Sequence, residues 1–127
     1  MLIQAPISVG ELLDKISVLE IKMQAFATKE GEAWSNVRKE RDALLELAEG
    51  TWDAKLDALY WQLRTINKTI WDAVDQLHVA DKSWFRNPFR ISSLARTIYL
   101  ENDRRAEIKR EINNLTRSEI VEEKVYR

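Results

Sequence analysis

A chain of 127 residues suits one domain, 1–127, long enough to bury a core without staples. Its 20 basic and 21 acidic residues nearly cancel, which argues against a general electrostatic grip on nucleic acid as a partner. The absence of Cys excludes disulfides, zinc–thiolate sites and cysteine nucleophiles, and no apolar run approaches the roughly 20 residues that cross a bilayer, so no membrane insertion is expected.

Residues 1–7 read as a short extended lead-in, with Pro6 outside any helix. The first six are too few for a signal peptide and lack its basic region, so a cytoplasmic location is expected. Ser8 followed by Glu11 is a capping-box pattern that starts a helix over 8–28. Leu12, Ile16, Leu19, Met23 and Phe26 then recur at three- and four-residue steps, which returns them to one helix face. Val18, Ile21 and Ala25 form a second apolar strip. A helix apolar on two sides is either central in a bundle or shared with another subunit. Gly10 lies in the first turn, where its poor helix propensity matters least.

Residues 29–31 look like a break. A second helix over 33–48 puts Trp34, Val37, Leu44, Leu45 and Ala48 inward, with Arg41 interrupting the stripe. Gly50 is a stop signal and Thr51 an N-cap candidate. The third helix, 52–78, has the longest stripe: Trp52, Leu56, Leu59, Leu63, Ile66, Ile70, Val74 and Leu77. Trp61 and Trp71 fall beside that stripe with Tyr60 and Asn67, which widens the apolar face. Residues 79–87 are irregular. Asn87 followed by Pro88 is an N-cap with proline at the first helical position, opening a fourth helix over 88–116. Its inward residues are Ile91, Leu94, Ile98, Ile108, Ile112 and Leu115. Residues 118–124 are expected to add a final turn or short helix. The fold class is all-α: an antiparallel bundle of about four long helices joined by short loops.

The fourth stripe has a hole. Between Ile98 and Ile108 the inward positions hold Asn102 and Arg105, inside the polar run Asn102-Asp103-Arg104-Arg105. One reading is a structural polar layer, in which Asn102 and Arg105 are buried against Asp14, Glu20, Glu122 or Glu123, because unpaired burial of such groups costs about 1–3 kcal/mol each. The other is a shallow anionic-ligand site built from Lys15, Arg38, Asn102, Arg104, Arg105 and Lys109, since Arg holds carboxylate or phosphate with two bonds. Glu11 and Lys15, four apart, read as an ordinary surface pair.

Other constellations are weak. Asp72, Asp75 and His78 share one side of the third helix, but the chain has one His. The pairs Glu46/Glu49 and Glu119/Glu122 have the spacing of magnesium-binding acids, yet they sit at a helix end and in the tail. No metal or cofactor is expected. There is no Gly-rich phosphate loop and no meaningful Ser/His/Asp set, so no catalytic residue is assigned.

The segments Gly10-Glu11-Leu12-Leu13-Asp14-Lys15-Ile16, Asn36-Val37-Arg38, Asn67 through Trp71-Asp72, Asn102-Asp103-Arg104-Arg105 with Ile108-Lys109, and Glu122-Glu123-Lys124 occur along nearly the whole chain. In that order they resemble a family of small uncharacterised helical proteins encoded by bacteria and some bacteriophages. Val125-Tyr126 departs from the Ser-Tyr ending of that pattern. The resemblance implies one helical domain, no assigned reaction, and for some members a surface-glycan gene context. Together these readings lead to a non-catalytic interaction or assembly module that self-associates, as a homodimer burying Val18, Ile21 or the Trp61/Trp71 side, with a protein partner left unidentified. The alternative is a binder or enzyme for an anionic metabolite.

Overall fold

The computed structural model describes residues 1–125, and among them there are four α-helices and no strand. Helix α1 spans Val9–Ala25. Ser8 caps it, its Oγ accepting from the Glu11 amide at 3.0 Å. The helix stops three residues short of the expected end because Phe26 turns extended, and Phe26 leaves the stripe for solvent. Gly31, at φ 99°, sits just before α2, Glu32–Ala48. A single 3-10 turn, Glu49–Thr51, follows.

Helix α3, Ala54–Lys82, is capped by Asp53 rather than Thr51. Trp52 therefore lies outside the helix, yet it still packs: its ring centroid is 4.9 Å from that of Tyr60, and its indole N–H donates to Asp57. The helix also runs four residues past His78. Helix α4, Pro88–Thr116, matches its expected bounds, with the Asn87 Oδ1 accepting from the amides of Phe89 and Arg90. Arg117 adopts a left-handed conformation, φ 53°, that ends it. The expected final turn or short helix over 118–124 does not form. Side-chain anchors hold that tail along α4 and the start of α1 instead.

Leu12, Leu13 and Ile16 of α1 meet Leu56, Tyr60 and Leu63 of α3, Ile112 of α4 and Ala48 of α2 in one cluster. Leu19 and Ile21 are buried as well. Helix α1 packs against α2, α3 and α4, and of its second apolar strip Ile21 is buried, Val18 half-buried and Ala25 exposed. Helix α1 lies across the α3–α4 pair. Its first turn rests on α4 through Gly10 and Asn113, its middle touches both helices through Asp14, and Glu20 reaches α3 at Tyr60 and Arg64.

That crossing leaves half of the long pair uncovered. Between Ala73 and Ile112 no residue is fully buried. Ile70, Trp71, Val74, Leu77, Ile91, Leu94 and Ile98 pack α3 on α4 but stay half-exposed. Leu115, expected inward, is 41% exposed. From Asn67 to the end of α3 the pair extends as a two-helix arm of about 22 Å, at 1.5 Å per residue. Among the described residues no helix is long and apolar enough to cross a membrane.

Candidate functional site

The centre of the polar constellation is Asp14, which is 2% exposed in the middle of α1. It occupies a position between Leu13 and Ile16 that faces the α3–α4 seam. A lone buried carboxylate would be strongly unfavourable. Here Arg105 Nε donates to Asp14 Oδ1 at 2.9 Å, and a second guanidinium nitrogen bonds Oδ2, so the pair is bidentate. Asn67 Nδ2 donates to Asp14 Oδ1 at 2.8 Å and to Ser17 Oγ at 2.7 Å. Ser17 Oγ in turn donates to the Asp14 carbonyl. Burial pushes the Asp14 carboxyl up, but the bonds from Arg105 and Asn67 and the charges of Arg105 and Lys109 outweigh it, and its pKa lies below the ordinary value. The Asp14 hydrogen bond raises Arg105 further against the desolvation that opposes it.

Around Asp14 the structure gathers Arg105, Asn67 and Ser17. Asn102 is exposed, not buried, and only accepts a long 3.4 Å bond from Arg105. The buried amide is Asn67, one helix away. Neither Glu20, Glu122 nor Glu123 reaches Arg105. Glu20 belongs to a second cluster, where it accepts from Tyr60 and Arg41 and lies 3.6 Å from Arg64. Glu122 and Glu123 belong to a third, at the chain ends. Ser8 Oγ donates to Glu122 at 2.6 Å, Lys109 bonds Glu11 at 2.6 Å and lies 3.6 Å from Glu122, Arg110 bonds Glu123 at 2.9 Å, and Lys124 pairs with Asp103. Glu11 thus pairs with Lys109, not with Lys15.

Asn113 and Gly10 fix where α1 meets α4. The buried Asn113 accepts from the Gly10 amide at 2.7 Å, and Val9 donates to Ser118. Asn67, Ser17 and Asn113 complete these networks, and the sequence marks them only weakly. Their signal is short polar side chains at stripe spacing, Asn67 seven residues from Tyr60 and Val74 and Asn113 beside Ile112.

The cations expected to surround a ligand are dispersed. Arg38, on α2, lies over the Trp34 ring at 5.6 Å and 3.6 Å from Asp42. Arg104 is exposed and bonds Glu101. Lys15 is exposed on α1. A groove of about 520 Å³ runs between α4 and the tail, lined by Asn102, Lys109, Arg110 and Asn113 together with Glu122 and Glu123. Lys15, Arg38, Arg104 and Arg105 are not in its walls. Among the described residues no three His, Asp or Glu side chains gather as metal ligands, and Asp72 bonds Lys68.

The Asp14 cluster also marks a boundary. Tyr60 and Asn67 on α3 and Arg105 on α4 are covered by α1. Seven residues further out on the same faces stand Val74, and then Ile98 and Ile91, flanked by Trp71. All four are half-exposed. Val18 is half-buried and Ile21 is 3% exposed, so Ile21 offers no free surface, while Trp61 is 52% exposed.

A family model matches residues 3–127, and the chain belongs to that family, a family of unknown function (DUF6165). Comparison with curated proteins and with solved structures gives no match. Tyr126 of the divergent ending lies outside the described residues.

Proposed function

We propose that the protein is a non-catalytic assembly module that works as a homodimer, paired through the face of the α3–α4 arm that α1 leaves uncovered. The observation that supports this reading is the continuation of one helix-pair face past its cover. Below Asp14 that face is packed under α1. Above it, Trp71, Val74, Ile91 and Ile98 continue the same apolar spacing and are only half-buried. A second copy supplies the missing layer by turning two two-helix arms into a four-helix packing, and a two-fold pair is the commonest closed solution. The Val18 and Ile21 strip is not part of this interface, because Ile21 is already buried. The exposed Trp61 lies on α3 below the arm, outside the proposed contact.

The anionic-ligand alternative has less support, since Arg38, Arg104, Arg105 and Lys109 each face an acid and lie in separate clusters. A bacterial or phage origin, a cytoplasmic location and a surface-glycan setting are part of the proposal through the resemblance and the sequence pattern. Light scattering on a sizing column tests the dimer. The wild type is expected at twice the 14.9 kDa chain mass, and Val74→Glu with Ile98→Glu at the chain mass itself, with a circular dichroism spectrum alongside to separate loss of the contact from loss of α3–α4 packing. A wild-type monomer at high micromolar concentration rejects the reading.

A further inference from the structure

We infer that the tip of the α3–α4 arm is an interfacial anchor for an anionic lipid surface. The turn between the helices carries Trp84, Phe85 and, in the first turn of α4, Phe89, which are 97, 74 and 86% exposed, with Val79, near the end of α3, at 73%. Such large apolar side chains stand unburied at the free end of an arm, where Val79 and Phe85 also border a shallow groove. The headgroup layer of a bilayer receives exposed apolar side chains at such an end without a shaped complement. Amphipathic rings such as Trp prefer that layer, and peripheral apolar groups enter it by about 5–10 Å.

Charge selects the kind of surface. Between Gln76 and Leu100 there is one acidic residue, Asp81, against Lys82, Arg86, Arg90 and Arg96, in a chain whose net charge is −1. The tip is thus locally positive while the whole is not, the arrangement that draws a segment to anionic lipid and leaves the body in water. Arg86 and Arg90 directly follow Phe85 and Phe89 in sequence, and Lys82 lies two residues before Trp84. Arg86 leans back on Asp81, its Nε donating to the Asp81 carbonyl at 3.1 Å and its terminal nitrogen 3.9 Å from the carboxylate. Arg90 bonds Gln76 at 2.9 Å. Both side chains remain on the surface, so anionic headgroups can compete for them without unfolding anything. The binding is peripheral: the arm touches the surface and spans nothing.

Flotation of the full-length protein with vesicles tests this, using phosphatidylcholine alone and phosphatidylcholine mixed with phosphatidylglycerol. Binding is expected to the mixed vesicles, weakening as salt rises. The variant carrying Trp84→Ser, Phe85→Ser and Phe89→Ser should keep its helicity, because those side chains are mostly exposed and none belongs to the core, and should lose at least about tenfold in lipid affinity. Arg86→Glu with Arg90→Glu should lose the preference for the mixed vesicles. Failure to float with either vesicle overturns the inference, as does equal binding by the aromatic variant. A fall of the aromatic variant to half the wild-type mass would also overturn it, by showing that a second copy covers the tip.

Discussion

Asp14 and Arg105 form a pair in which one partner is almost wholly buried and the other is a third exposed. Removing the exposed partner strands the buried one. Arg105→Ala is therefore expected to cost about 3 kcal/mol, the low end for a broken buried pair, read as a lower urea midpoint. Arg110→Ala, which loses an exposed contact to Glu123, should stay within about 0.5 kcal/mol of wild type. The pair also sets an acid limit. The folded pKa of Asp14 lies below its unfolded value of about 3.9, so its contribution is complete above that pH and is lost as the pH falls through the lower folded value. Thermal stability should decline below about pH 4, and Asp14→Asn should flatten that decline; an unchanged slope in the variant would show that other carboxylates govern it. The hole in the α4 stripe pointed to Arg105 and to Asp14 among its acids. It misplaced Asn102 because periodicity gives the face of one helix, not the angle at which another crosses it. Where α1 passes over, it reaches Arg105 and Asn67, and Asn102 sits beyond its edge.

Gly10 shows how an element's neighbours overrule its own propensities. In a free helix, Gly→Ala is stabilising by about 1 kcal/mol. Here an added Cβ would meet the Lys109 carbonyl oxygen at 2.7 Å and Asn113 Oδ1 at 2.9 Å. The α4 backbone cannot step aside without losing the Gly10–Asn113 bond. Gly10→Ala is therefore expected to destabilise by about 1–3 kcal/mol, as overpacking does, and a stabilised variant in chemical denaturation would show that α1 and α4 are farther apart than this. The four helices were legible in the sequence because stripe, cap and proline signals agreed, most fully for α4, where Asn87 and Pro88 mark the start. The tail was not. Its Glu119/Glu122 spacing suits a helix, but the left-handed Arg117 and the anchors Ser118, Glu122, Glu123 and Lys124 are contacts with α1 and α4 that no local pattern encodes.

At the scale of the molecule, protection is uneven. Leu13, Ile16, Leu63 and Ile112 lie in the layer shared by all the helices, whereas the arm from Val74 to Leu100 has one helix on one helix and water on the remaining sides. Amides in such a segment open locally at a smaller free energy than those of the core. A partner that covers the arm must raise that opening energy, and by mass action the gain depends on protein concentration. In the proposed dimer, a two-fold axis along the arms would also bring both aromatic tips to one side, so that two weak lipid contacts act together. Hydrogen exchange followed over a dilution series separates these cases. Protection of Trp71 to Leu77 and of Ile91 to Ile98 is expected to fall as the protein is diluted, while that of Leu63 and Ile112 stays constant. If the arm exchanges at one rate at every concentration, no second copy covers it. The two-helix arm would then stand alone in solution, and the apolar face above Asp14 would need another partner.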